Sequence, residues 1–143
     1  MKINIESITV CEDTTSDFKP ISITNTFYPE QSGSVQVLVQ LSGIHTRTDV
    51  NFHWYISDEP EVPLATYTFA LEKENNKTRY AVGALDLRAL LQLKEFNIFQ
   101  KWFTIIEVED SKRRVDFVLK KMGYGPSALN NNFVNVPRIN LKG

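Results

Sequence analysis

The sequence predicts an all-β domain, an antiparallel sandwich of seven to eight strands with Greek-key connections and one short helix. Apolar residues recur at every second position in several separate runs, which is the period of a strand with one buried face. Only residues 86–96 show leucines at a helical spacing instead. Short strands separated by polar turns, with little helix, are typical of one sheet packed on another.

The two clearest strands lie in the first half of the chain. Apolar and polar residues alternate from Val35 to Leu41 and again from Val50 to Ile56. Each run therefore predicts a strand that buries one face. In the second run the alternation places Trp54 on the buried face.

Shorter runs rich in β-branched and aromatic residues predict the remaining strands. They cover residues 3–10, 21–27, 67–71, 80–84, 102–108 and 115–119. In the first run the apolar phase slips at Glu6-Ser7, which predicts either a β-bulge or a strand that crosses between two sheets. Residues 110–113 join the last two strands, and predict a loose hairpin turn because they contain no Asn-Gly or Asp-Gly pair.

The segment 86–96 predicts a short helix of two to three turns that crosses between the sheets. Asp86 stands where its side chain can cap the first free amides. The leucines that follow fall near one face, and no β-branched residue interrupts them. We interpret these leucines as core contacts rather than as a groove for a partner.

The pattern changes at Gly123, where Gly123-Tyr124-Gly125-Pro126 breaks the strand sequence. We therefore divide the chain into a sandwich domain over residues 1–123 and a C-terminal tail over residues 124–143. Weak period-two spacing in the tail leaves two alternatives open, a flexible segment or a docked edge strand. Pro137 favours an edge over a central position.

Deletion of residues 124–143 is expected to leave the sandwich folded and to weaken its association with partners. The tail is apolar enough to dock on a surface and too short to fold by itself. Thermal unfolding and sizing chromatography of the truncated chain measure the two effects. Loss of cooperative unfolding would show instead that the tail belongs to the core.

The runs centred on Val37 and Trp54 resemble the second and third strands of an immunoglobulin-like domain, whose third strand carries a buried tryptophan. The resemblance covers residues 3–121 at the level of the superfold. It departs from antibody domains because Cys11 is the only cysteine, and no tyrosine corner is evident before the strand of Trp102. The resemblance implies a sandwich and no particular activity.

No set of residues in the sequence converges on catalysis or metal binding. The histidines His45 and His53 match no zinc-ligand spacing. A G-x-S-x-G elbow and a phosphate-binding glycine loop are both absent. Glu107 and Glu109 share one face of a predicted strand, which is typical of solvated charges. We therefore expect no enzyme activity, no catalytic residue, no metal and no cofactor.

Charge is unevenly distributed along a chain whose net charge is −1. Residues 1–71 carry three basic and nine acidic side chains and residues 72–143 carry thirteen and eight, which gives −6 and +5. Such halves suit association with a protein partner or with a second copy of the chain. The pI of about 6.1 lies far below that of typical nucleic-acid modules, so nucleic acid is not the expected partner.

Two groups of side chains are candidate binding residues. Exposed rings serve as platforms for sugars, and a run of basic residues can meet an acidic partner. The aromatic candidates are Tyr55, Trp102 and Tyr124. The basic candidates are Lys112, Arg113 and Arg114.

These patterns together predict a non-catalytic module for protein interaction or assembly, such as a subunit of a bacterial or phage assembly. The alternative is a sandwich that binds carbohydrate or another small ligand through exposed aromatic rings. No apolar run is long enough to span a bilayer, and the first ten residues lack the apolar core of a signal peptide. We therefore expect no membrane insertion and a cytoplasmic location.

Overall fold

The computed structural model describes residues 2–74 and 77–122. Over these residues the chain forms nine strands and one helical turn. The elements in chain order are β1 (Asn4–Thr14), β2 (Pro20–Ile23), β3 (Thr26–Phe27), β4 (Ser34–Ser42), β5 (Thr48–Ile56), β6 (Ala65–Leu71), β7 (Thr78–Asp86), α1 (Leu87–Leu90), β8 (Lys101–Val108) and β9 (Ser111–Leu119). Within these ranges no helix is long and apolar enough to cross a membrane.

The strands form two sheets whose inner faces enclose the core. One sheet has four strands in the order β2-β1-β4-β7, and the other has five in the order β3-β9-β8-β5-β6. The predicted all-β class is confirmed. Neighbouring strands are antiparallel except that β3 runs parallel to β9, so the prediction of wholly antiparallel pairing is wrong at this edge.

The two clearest predicted strands are the centres of the fold. β4 lies inside the four-stranded sheet and β5 inside the five-stranded sheet. The apolar residues that alternate from Val35 to Leu41 and from Val50 to Ile56 are all buried. Period-two alternation therefore identified the core-facing side of both strands.

The phase slip in the first strand is a β-bulge. The register of β1 on β4 shifts between Ile5 and Ser7. As a result Ile5 pairs with Leu41 and Ile8 pairs with Val39, and both isoleucines pack against the core. One extra residue restores the inward direction of the strand, as the bulge alternative predicted.

The single strand predicted over residues 21–27 is wrong, because the segment divides between the two sheets. β2 pairs with β1, whereas β3 pairs with β9. The crossing takes place within two residues: the amide of Thr24 donates to Val10, and the carbonyl of Asn25 accepts from Val118. The hydroxyl of Thr24 also accepts from the amide of Thr26, which holds the chain in the bend. The strand count consequently exceeds the predicted seven to eight.

The predicted helix is shorter than residues 86–96. Asp86 caps it as expected, with its carboxylate accepting from the amides of Arg88 and Ala89 at 2.9 and 3.2 Å. Helical structure ends at Leu90, after one turn. Helices of this length depend on packing rather than on propensity, and Leu87 and Leu90 are already buried in the core.

The hairpin between β8 and β9 is tighter than predicted. Val108 pairs with Ser111, which leaves a connection of Glu109 and Asp110 only. The prediction of a loose turn over residues 110–113 is therefore wrong. Glu109 adopts a φ of +50°, a left-handed conformation that lets a two-residue loop match the strand twist.

Thr104 is the exception among the core-facing residues of β8. Its hydroxyl is buried and has no hydrogen-bond partner within the described ranges. A buried hydroxyl without a partner costs free energy on folding.

Thr104→Val is expected to raise the free energy of unfolding by about 1 kcal/mol. Valine keeps the shape of the side chain and removes the unsatisfied hydroxyl. Urea unfolding measures the change, and Thr104→Ser, which keeps the hydroxyl and loses a methyl group, is the control. An unchanged or lower unfolding midpoint for the valine variant would contradict the assignment.

Candidate functional site

The outer face of the five-stranded sheet carries a connected set of polar and aromatic side chains. Alternate residues of β5, β8 and β9 point away from the core there. The cross-strand register brings Tyr55 beside Phe103 and Asn51 beside Glu107. The next strand places Asp116 beside Phe103 and Lys112 beside Glu107.

Three planar groups are stacked across this face. The rings of Tyr55 and Phe103 are parallel within 6°, with centroids 4.7 Å apart. The guanidinium of Arg114 lies 3.9 Å from the centroid of the Phe103 ring, a cation–π contact. Phe103 is consequently only 6% exposed although it belongs to an outer face. We call Tyr55, Phe103 and Arg114 the aromatic stack.

Arg114 is held in place by a second contact. Its Nε atom donates to Oδ1 of Asp116 at 2.8 Å. The ring and the carboxylate contact the guanidinium together, which favours this orientation of the Arg114 side chain. The structure therefore presents the terminal nitrogens of Arg114 in a defined position.

A shallow cleft of about 330 Å³ adjoins the aromatic stack. Its polar lining combines two cationic side chains, one carboxylate and two uncharged groups. These residues are Lys101, Arg114, Asp116, Ser57 and Asn25. The formal charges of the lining leave one net positive charge, which favours an anionic group over a cationic one.

His53 links three strands on the same face. Its Nε2 atom lies 3.0 Å from Oε1 of Glu107 on β8, and its Nδ1 atom lies 3.1 Å from the hydroxyl of Thr66 on β6. Lys112 on β9 lies 3.8 Å from the second oxygen of Glu107. A hydroxyl, an imidazole and a carboxylate in line can form a nucleophilic set when an oxyanion site faces the hydroxyl. Here Thr66, His53 and Glu107 lie on neighbouring strands, and none of the three side chains lines the cleft. Their contacts connect β6, β5 and β8.

Metal binding has no matching cluster in the part of the chain that the structure describes. No group of three or more His, Cys, Asp or Glu side chains converges there. The contacts of His53 and Glu107 therefore join strands and do not form part of a larger ligand set.

The predicted aromatic platform is only partly present. Tyr55 is half-buried on the outer face and stacks as described above. Trp102 is not on the surface: it is 1% exposed, and its indole nitrogen donates to the carbonyl of Ile98 at 2.8 Å. Its prediction as an exposed platform is wrong, because Phe103 takes the outward position of the adjacent pair. Tyr124 lies outside the described residues.

The three predicted basic residues lie on one strand but on two faces. Lys112 and Arg114 belong to the outer face, where they contact Glu107 and Phe103 respectively. Arg113 pairs with the buried Ile106, so it belongs to the core-facing side of β9. Its side chain is nevertheless exposed to solvent.

The outer face of the four-stranded sheet differs because a loop covers it. Phe18, at a φ of +62°, stacks on Tyr80 with ring centroids 5.2 Å apart. Leu38 belongs to this outer face and is nevertheless buried. Within the loop the hydroxyl of Thr15 donates to Asp17 and lowers the pKa of that exposed carboxyl. Phe18 and the loop that carries it therefore cover part of this face.

The sequence has no relative among protein-family models or curated proteins. Neither a scan of the sequence against protein-family models nor a search of curated proteins found a match.

Proposed function

We propose that this chain is a non-catalytic module for protein interaction or assembly, built as an immunoglobulin-like sandwich. Strand pairing supports the fold proposal: β4 pairs with β7, and β5, β8 and β9 are consecutive neighbours. These correspond to the B–E and C–F–G pairings of immunoglobulin sandwiches. In this proposal Trp54, which is buried on β5, is the counterpart of the tryptophan on strand C.

The interaction surface in this proposal is the β9 side of the five-stranded sheet. The single observation that carries it is the open edge of β9. β3 pairs only with Val118 and Leu119, and no other described strand pairs with β9 on that side. Lys112, Arg113 and Arg114 are all exposed along this edge. An edge that is open, basic and next to a preorganised aromatic stack suits docking of an acidic partner.

Light scattering behind a sizing column tests the proposal, at low and at high salt. We expect a dimer, a larger assembly, or a complex with a captured partner that weakens as salt screens the charges. Lys112→Gln combined with Arg113→Gln is expected to reduce that association. Arg88→Gln combined with Lys94→Gln is the matched control, because it removes the same charges from exposed positions elsewhere.

Two results would contradict the proposal. One is a monomer at every salt concentration that also captures no protein partner. The other is an association that the β9 variant and the control variant weaken equally.

A second candidate function is the binding of a carbohydrate or another small ligand. The observation that favours it is the cleft of about 330 Å³ beside the aromatic stack, a volume at the lower end of ligand sites. A glycan and small-ligand screen tests it. Binding should be lost in Arg114→Gln, because Arg114 both lines the cleft and stacks on Phe103. It should be retained in Arg88→Gln, because Arg88 is exposed and does not line the cleft. Equal losses in both variants would contradict this candidate.

A further inference from the structure

The open edge of β9 presents a defined set of backbone groups. The amides of Val118 and Lys120 donate to Asn25 and Phe27 on the β3 side, whereas the amide of Leu119 donates to Gln100 on the β8 side. Backbone polar groups alternate between the two sides of a strand. The amides and carbonyls of Lys112, Arg114 and Asp116 therefore point toward the open edge.

This edge differs chemically from the other strand edges that the structure describes. β2 and β6, at two other sheet edges, contain no charged residue. On β7 the only basic side chain, Arg79, is buried and donates to the carbonyl of Glu72 at 2.8 Å. β9 alone among them combines edge groups that no described strand pairs with three exposed cations against one carboxylate. This excess of positive charge favours an acidic occupant, although Lys112 contacts Glu107 and Arg114 contacts Asp116.

We propose that β9 accepts an extended acidic segment of a partner protein as an added strand. This inference deepens the proposed function, on which it rests. The added strand lies on the same side of β9 as β3 and runs from the end of β3 toward the β8–β9 hairpin. Its main chain forms hydrogen bonds with Lys112, Arg114 and Asp116. Main-chain bonds of this kind supply affinity, and the alternating side chains supply specificity.

The register of the sheet defines the side-chain pattern of the partner. A residue directly opposite on a neighbouring strand has its Cβ atom about 4.5–5.5 Å away and shares the same face. Acidic residues opposite Lys112 and Arg114, two positions apart, meet two cations on the outer face. The residue opposite Asp116 is uncharged or basic, because like charges directly opposite are unfavourable.

Arg114 and Lys101 favour a carboxylate in the cleft beside the aromatic stack. The terminal nitrogens of Arg114 are positioned by Phe103 and Asp116. Lys101 lines the same cleft. A carboxylate that enters the cleft can meet the guanidinium of Arg114 and the ammonium group of Lys101. Asp116 also lines the cleft and already accepts from Nε of Arg114, and the lining as a whole keeps one net positive charge, which favours an anion.

Titration of the full chain with synthetic peptides tests the proposal. The probe is the peptide Thr-Glu-Val-Glu-Val-Thr, and its controls carry Gln or Lys in place of Glu. We expect the Glu peptide to bind at least about ten-fold more tightly than the Gln peptide, with no binding of the Lys peptide. Lys112→Gln combined with Arg114→Gln should weaken binding of the Glu peptide about ten-fold. Arg88→Gln combined with Lys94→Gln should leave it unchanged.

A pair of variants separates backbone pairing from charge. Asp116→Pro and Asp116→Ala both remove the carboxylate, and only proline also removes an amide that points to the open edge. Proline is tolerated at such edge positions. Peptide binding should be lost with proline and retained with alanine. If the proline variant does not fold, hydrogen exchange of the unmodified chain gives the same information.

Hydrogen exchange locates the added strand. On binding of the Glu peptide, the amides of Lys112, Arg114 and Asp116 should become protected, while exchange at the β2 and β6 edges stays unchanged. Protection elsewhere, or equal binding of the Gln peptide, overturns the inference. A chain that assembles in light scattering and ignores the Glu peptide overturns the inference alone and leaves the proposed function standing.

The free protein offers a prior check of the open edge. Amides on the two sides of β9 should exchange at different rates, because only one side is paired. We expect fast exchange at Lys112, Arg114 and Asp116, and slow exchange at Arg113 and Val115, whose amides point to β8. Slow exchange at all five positions would mean that something already occupies the edge, and would contradict an open site.

Discussion

Phe117→Ala is expected to lower the free energy of unfolding by about 3–5 kcal/mol, the largest loss that we expect from a single substitution. Phe117 is the ring that three other core aromatics contact. It meets Phe27 edge-on at 5.9 Å, Trp54 edge-on at 6.1 Å and Trp102 in a stack at 6.0 Å. Alanine removes these three contacts together and leaves a cavity between the two sheets.

Thermal and urea unfolding measure this loss. A chain of 143 residues should melt about 10–17 °C lower, given the usual entropy of unfolding per residue. Phe117→Leu, which keeps most of the volume, should cost clearly less. Tyr67→Ala is the control for loss of an exposed ring. A loss below about 1 kcal/mol for Phe117→Ala would contradict a shared role in the core.

Gly83→Ala is the second substitution expected to have a large effect, a loss of about 1–3 kcal/mol. Gly83 belongs to β7, where its Cα faces the ring of Phe52 on the other sheet. A Cβ atom added at Gly83 would lie 2.5 Å from carbons of that ring. Phe52 is fully buried, so the ring cannot move toward solvent to make room.

A double-mutant cycle identifies the clash as the cause. Alanine at Gly83 should cost much less when Phe52 is replaced by leucine, with a coupling free energy of about 1 kcal/mol or more. Gly33→Ala is the matched control, because a Cβ atom there meets nothing within 4 Å. Equal losses at Gly83 and Gly33 would show that the contact with Phe52 is not what limits the substitution.

Several elements of the fold could be predicted from local pattern alone. Alternation from Val35 to Leu41 predicted a strand and its buried face, since burial on one side of a strand imposes period two. The phase slip at Glu6-Ser7 predicted a bulge for the same reason. The capping role of Asp86 followed from its position before a run of leucines.

The candidate site was harder to predict, because its contacts join distant parts of the chain. His53 and Glu107 are 54 positions apart, and no sequence spacing signals that pair. Trp102 and Phe103 are adjacent on β8, so only one of the two rings can point to the outer face. Which one does so depends on the register of β8 with β5 and β9.

The sequence by itself determined the strand class, the two central strands with their core faces, the bulge and the helix cap. Each of these depends on residues within one turn or one strand, so local periodicity carries the information. Only the tertiary structure decided the parallel pairing of β3, the division of residues 21–27 between two sheets and the end of the helix at Leu90. It also decided that β9 keeps one edge open. These features depend on which strands become neighbours, and the chain settles that through burial and pairing across long sequence distances.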